Sequence, residues 1–506
     1  MSDLGPKRAF FWDEATQTFR KAVVGEPGEY VWNTTTNSWE FGTVGAEYLY
    51  NHTTKSWEFG PGGQYVRNQT TNAWDKVTSP GYGGRYYWDN ATNSWLKNAA
   101  SVDVAEAYAR WDFLNNQAWF GGDYVGALSS TPGLSFTRDS TGYAQTSAGL
   151  LVPFASGELR RTNKGALIEG ARTNLCLQSQ TFGTTWTKSN GTLTADQAAA
   201  PDGTTTADKL VGDAAAANGR VSQSIAGTIG ATYTLSCFVK TAGGTLVRLY
   251  ADDSGTNTAS VTYSSVDGSV SSAASIGGAT WTAVSSGAQQ LGNGWWRFWL
   301  TFTATTAAPA RFQIWHRDTS DGTNGLYLWG AQLEAASFPS SYIPTTTASA
   351  TRAADVLTVP VSGLDYPLSL FAEFEPSVLA TSNARIFTIG VANTNSTRLS
   401  LSSTNLVRGQ VDSVSGGGAQ MDATIAGAVV VGTTYKTALR AAANNSRHVK
   451  NGTLGTLDSS VTVPSTPTSI VIGNDFTGSE AAFSYLRRAA IYSRALTDAE
   501  LQSLTT

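Results

Sequence analysis

Five copies of one short aromatic unit fill the first hundred residues and limit what this end of the chain can become. They read FFWDEATQTF from Phe10, YVWNTTTNSW from Tyr30, YLYNHTTKSW from Tyr48, YVRNQTTNAW from Tyr65 and YYWDNATNSW from Tyr86. Their starts lie 20, 18, 17 and 21 residues apart. A period near 20 marks a repeat architecture whose single units are too small to bury a core. Each unit has an aromatic run, an Asn or Asp, Thr-rich polar residues and a closing Trp or Phe, which is the pattern of a β-hairpin around an Asx-type turn. A lone hairpin is unstable in water. Trp32, Trp39, Trp57, Trp74, Trp88 and Trp95 are therefore expected to stack against neighbouring hairpins or other copies of the chain. A ladder of sugar- or choline-stacking platforms is the functional alternative.

Composition narrows the function classes. Only 14% of the residues are charged, against about 25% in an ordinary soluble domain. Lys+Arg total 34 and Asp+Glu 38, for a net charge of -4, so the basic excess that a nucleic-acid binder needs is missing. No run of 18 apolar residues marks a membrane span. The start, MSDLGPKRAFFWDE, lacks the apolar stretch of a signal peptide, which predicts synthesis in a cytoplasm. Cys176 and Cys237 are too few for a disulfide framework. Two buried thiols are expected, with one bridge as the alternative. His52, His316 and His448 are too scattered for zinc.

Length suggests three or four domains. From residue 101 onward Ser, Thr, Gly and Ala dominate, and short alternating segments recur between turn signals: TYTLSCFVK (232–240), LVRLYA (246–251), WWRFWLTFTA (295–304), RFQIWHR (311–317) and GLYLWGAQLE (325–334). This predicts sandwiches or jelly rolls. The one convincing helix is terminal: in LTDAELQSL, Thr497 and Glu500 have capping-box spacing, and Leu501 and Leu504 share a face. The expected fold class is all-β, with N-terminal aromatic β-hairpin repeats followed by two jelly-roll or β-sandwich domains. The boundaries fall at 1–98 (repeats), 99–172 (a β-rich connector that can belong to the last sandwich), 173–345 and 346–506.

The blocks SFTRDSTGYAQTSAGLL (135–151), GALIEGARTNL (165–175), PDGTTTADKL (201–210), NGWWRFWLTFTA (293–304), DGTNGLYLWGAQLE (321–334), FPSSYIPTT (338–346) and TRAADVL (351–357) together resemble a module of tailed-phage and prophage fibre or spike proteins. Its centre, 173–344, is similar to carbohydrate-binding modules of the galactose-binding-like jelly-roll type. The C-terminal stretch, with LSLFAEFEP (368–376), RIFTIG (385–390), VKNGTL (449–454) and the closing strand and capped helix, resembles a concanavalin-like, laminin-G type sandwich. The repeats resemble, in period and aromatic content, the hairpins of choline-binding cell-wall modules. The resemblance implies a virion protein that binds host surface polysaccharide, is often a homotrimer and meets other virion proteins through its repeats. It transfers no ligand residues. A purely structural virion or decoration protein is the alternative, and a polysaccharide depolymerase a third.

Sugar recognition needs an aromatic face and polar partners for hydroxyls. In WWRFW, strand alternation puts Trp295, Arg297 and Trp299 on one face and Trp296 and Phe298 on the other. Arg297 marks the first face as the wetter one, so Trp295, Arg297 and Trp299 are the candidate glycan-binding residues, with a buried seam between domains as the competing reading. Trp329 is expected in the core. For catalysis, paired carboxylates would be required. The candidates Asp252, Asp253, Asp318, Asp321, Glu373 and Glu375 do not form a clear pair, since Asp252 and Asp253 alternate. Glu373 and Glu375 share one face that is expected to be solvated, and the spacing of Phe371 and Phe374 predicts a bulge. No nucleophile elbow stands out, so no enzyme activity is expected. No cofactor is called for, apart from a structural calcium ion at the RDSTG turn (138–142) or at Asn474–Asp475.

Overall fold

The computed structural model describes residues 107–213, 218–318, 321–379, 382–415 and 417–506, together with ten short strands before residue 98. The chain divides into two units, Met1–Ala99 and Ala100–Thr506. In the first, the ten strands pair as five antiparallel hairpins, from Phe10–Asp13 with Thr18–Lys21 to Tyr86–Asp89 with Ser94–Lys97. The surroundings of their tryptophans lie outside the described residues.

The second unit is all-β but for the C-terminal helix and short 3-10 turns. Strands Thr232–Ala242, Trp296–Ala304, Gly325–Glu334, Ala207–Gly212, Gly191–Ala198 and Trp281–Gln290 make one six-stranded sheet. Thr187–Ser189, Arg220–Ser224, Arg311–His316, Leu246–Asp252, Thr258–Ser264 and Val270–Gly277 make the other. Alternation explains the pair: Val247, Leu249, Ala251, Phe312 and Ile314 point into a core shared with Leu235, Phe298, Leu300 and Leu328. Cys176 and Cys237 are buried there as free thiols, as expected.

A larger sandwich lies around this one. One of its sheets runs through Ala109–Asp112, Ser484–Tyr492, Leu368–Pro376 and Tyr435–Ala441, and the other through Ser135–Thr137, Val356–Pro360, Ser469–Ile472 and Ala384–Ala392. Segments before residue 170 thus pair with strands beyond residue 350. The bulge in FAEFEP sits between Glu373 and Phe374. It sends Phe374 into the inter-sheet core and Phe371 into the layer under the helix. The helix, Asp498–Thr505, has its capping box formed by Thr497 and Glu500, and Leu501 and Leu504 are buried. No helix among the described residues is long and apolar enough to cross a membrane.

The smaller sandwich is an insertion in the larger one. The chain goes in along Arg172–Asn174 and comes out along Ala350–Arg352, and these strands pair with each other. Below this two-stranded neck lies a cluster of charged side chains, all nearly devoid of solvent contact. Asp355 pairs with Arg138 at 3.1 Å and with Arg160. Glu169 pairs with Arg160 at 2.7 Å and Arg352 at 3.0 Å. Ser341 adds two hydrogen bonds to Glu169, from its amide at 2.9 Å and its hydroxyl at 2.6 Å. The Ser340 hydroxyl donates to Glu334 at 2.6 Å. Burial opposes ionisation of Glu169, but Arg352, Arg160 and Ser341 overcome it and hold its pKa down to about 2. The blocks TRDSTG, IEGARTN, GAQLE, PSSY and TRAAD therefore converge on one point, where they join the two sandwiches.

Candidate functional site

The expected glycan face of WWRFW is not wet. Trp295 is only 1% exposed and ends the turn Gly292–Gly294, one residue before the strand begins. Its indole donates to Ala199 O at 3.0 Å. Arg297 is buried as well, donating to Ser340 O at 2.6 Å and Ser236 Oγ at 3.0 Å. The physical reason is that residues of the connector and of the FPSSY loop, among them Leu151 and Tyr342, pack over this face of the sheet. Only Trp299 is half-exposed. It borders a cleft of about 580 Å³ between the two sandwiches, together with Gln145, Lys164, Gln289 and Val378. A side chain at Gly287, its cross-strand partner, would meet the indole at 2.1 Å. On the opposite face Phe298 is buried and stacks on Tyr263 at 4.5 Å, while Trp296 is half-buried against the same core. Trp329 is fully buried, as expected.

Each candidate acid has a hydrogen-bond or ion-pair partner within the chain. Glu373 and Glu375 are not solvated: they are 6% and 7% exposed, because Arg487 reaches both, Arg488 pairs with Glu373, and Lys164 pairs with Glu375 at 2.7 Å. Asp252 accepts from Arg311 and Gln313. Asp253 holds Gly255 and Asn257, Asp318 holds Thr245 and Leu246, and Asp321 holds Thr323 and Asn324. His316 is buried against Asp318 at 3.2 Å. His448 is buried against Thr437 at 2.8 Å. At the proposed calcium loop Asn474–Asp475 protein donors meet the Asp475 carboxylate. Asp475 accepts from Asn393, Thr477, Ser479 and Glu480, and Ser140 O in the RDSTG turn accepts from Arg138. Among the described residues no three His, Cys, Asp or Glu side chains gather as a metal site.

The feature that sequence reasoning missed is the outer face of the sheet containing Arg311–His316. Phe312 and Ile314 point inward, so Arg311, Gln313 and Trp315 point outward. Register then sets their neighbours. One cross-strand row reads Ser189, Arg220, Trp315, Arg248, Thr262 and Ser272. The next reads Thr187, Ser222, Gln313, Tyr250, Ser260 and Ser275. Tyr250 and Trp315, both half-exposed, lie with ring centroids 5.0 Å apart. Trp315 Nε1 donates to Gln313 at 3.1 Å. The result is an aromatic pair set in a band of hydroxyls, amides and guanidiniums. The alternation R-x-Q-x-W, read beside R-x-Y-x-D in residues 248–252, was the available signal.

No protein-family model matches the chain, and no curated protein does. Among solved structures it is similar to the CBM40 module of the Ruminococcus gnavus IT-sialidase, with 14% identity over 29% of this chain and 96% of that one, at a TM-score of 0.24. It is similar to a heptameric SAP-like pentraxin from Limulus polyphemus, with 14% identity over 29% and 72% and a TM-score of 0.23. Trypanosoma rangeli sialidase matches with 15% identity over 29% of this chain and 25% of its own, at a TM-score of 0.24.

Proposed function

We propose that the chain is a non-enzymatic fibre or spike protein of a tailed phage or phage-like particle that adheres to host-surface glycans through the outer face bearing Tyr250 and Trp315. The observation that carries this reading is the aromatic pair at the centre of two uninterrupted polar rows. Aromatic rings match the C–H side of a sugar, and the Ser and Thr groups around them match its hydroxyls. The resemblance of the sequence blocks to phage fibre modules supports the virion role. In this reading the protein is made in the host cytoplasm and assembles as a homotrimer. Several weak sites on one oligomer then add up to firm attachment, and residues 1–98 join the protein to other virion proteins.

Trp315→Ala is expected to weaken binding to the preferred host polysaccharide by roughly 30-fold, the effect of losing a central aromatic contact worth about 2 kcal/mol. Surface plasmon resonance on immobilised polysaccharide checks this, with near-ultraviolet circular dichroism confirming the fold. Unchanged binding removes the site, and release of reducing ends from the polysaccharide would make the protein a depolymerase instead. Deleting residues 1–98 is expected to leave cell binding intact and abolish incorporation into particles, as read by immunogold microscopy. Loss of cell binding on that deletion would make the repeats the adhesive part.

A further inference from the structure

Three arginines surround the indole of Trp315. The guanidinium carbons of Arg220, Arg317 and Arg248 lie 5.0, 5.8 and 5.9 Å from its ring centroid. Arg220 and Arg248 flank Trp315 on the two adjacent strands, in register with it. Arg317 follows the Trp315 strand by one residue, held by its amide to Leu246 O at 2.9 Å. Cation–π contact with a shared ring fixes where these groups can be.

Among the described residues no ion pair neutralises their charges. Arg311, four residues before Trp315 on the same strand, is paired with Asp252 at 2.9 Å. Among the described residues, Arg220, Arg248 and Arg317 have no such ion pair, and Arg248 is tied only to the Thr262 hydroxyl at 3.0 Å. Burial and then the charge of Arg317 lower the pKa of Arg248, which reflects repulsion within the group. On a chain with a net charge of -4, three uncompensated cations around one half-exposed ring form a local positive centre. Gathering them raises the energy of the free protein, and an arriving anion lowers it. Guanidinium forks suit a carboxylate, which they can bind in bidentate fashion, while Ser222 and Ser260 in the adjoining row supply hydroxyls for the rest of the sugar.

We infer that this face selects an acidic saccharide, with a carboxylate-bearing sugar seated between Arg220, Arg248 and Arg317 and against the Tyr250–Trp315 pair. The inference rests on the glycan-binding reading above and deepens it by naming the substrate class.

The test uses the full chain on an array of bacterial surface polysaccharides printed in three forms: native uronate- or nonulosonate-containing, the same polymers after carboxyl reduction, and phosphate-bearing polymers without carboxylates. Native acidic polymers are expected to bind at least about tenfold tighter than their reduced counterparts, with affinity falling as salt rises. Arg220→Gln, Arg248→Gln and Arg317→Gln are each expected to lower affinity for the native form by about tenfold and to lower affinity for the reduced form by clearly less. Thermal unfolding confirms that each variant is folded. Equal, Trp315-dependent binding of native and reduced forms would overturn the acidic selectivity while leaving the glycan-binding reading in place. Binding to the phosphate polymers alone would also overturn it. Failure to bind any polymer, or binding indifferent to Trp315→Ala, would overturn both.

Discussion

Asp355→Ala is expected to destabilise the protein by about 3–5 kcal/mol, the cost of removing one partner from a buried ion network. The Asp355 side chain is fully buried and accepts from Arg138 at 3.1 Å, from Arg160 and from the Glu169 amide at 2.8 Å. The surrounding cluster holds four buried arginines (Arg138, Arg160, Arg297, Arg352) against three carboxylates (Glu169, Glu334, Asp355). Losing one carboxylate leaves two against four. The control is Asp422→Ala. That residue also pairs with an arginine, Arg408, but its side chain is 42% exposed, and surface pairs contribute about 0–1 kcal/mol. Urea unfolding followed by near-ultraviolet circular dichroism gives both values. Midpoints for the two variants that agree within error would show that the buried cluster does not hold the fold together.

Acidification is expected to weaken the fold in two stages, the first set by His448. Burial, and then the charge of Lys450, push its pKa down to about 3, while an unfolded histidine titrates near 6.5. As pH falls below 6.5 the unfolded chain takes up a proton that the folded chain refuses. Stability is therefore complete above that pH and drains away toward pH 3, by up to about 1.4 kcal/mol per pH unit. His316, whose pKa is also lowered by burial, acts in the same direction. Below about pH 4.5 Glu169 joins: its pKa is depressed to about 2 in the fold, so the unfolded chain gains a second class of proton and the slope steepens. His448→Asn is expected to remove most of one proton's worth of slope between pH 6.5 and 4.5, whatever its own stability. Urea midpoints measured across that range give the slope directly. A variant with the parental slope would show that His448 is protonated in the fold.

What could be read from the sequence was whatever depends on near neighbours in the chain. Alternation of Val247, Leu249 and Ala251 marks a half-buried strand, Thr497 and Glu500 mark a helix start, and the spacing of Phe371 and Phe374 marks a bulge. What failed was the assignment of a face. Arg297 reads as a solvent-facing charge, yet the Ser340 carbonyl, 43 residues away, accepts its hydrogen bond in the interior. Glu373 and Glu375 read as a wet edge, yet Arg487 and Arg488 cover them from a strand more than a hundred residues later. The Trp315 face was hidden for a related reason. Its aromatic and cationic members come from three strands, and only their register brings Arg220, Trp315 and Arg248 into line.

The paired strands Arg172–Asn174 and Ala350–Arg352 also make the smaller sandwich a separable cassette. Because the polypeptide leaves the larger sandwich and returns to it at hydrogen-bonded neighbours, a different domain with closely spaced ends would fit the same exit and entry. The surrounding sheets would keep their own ladders whatever stood between.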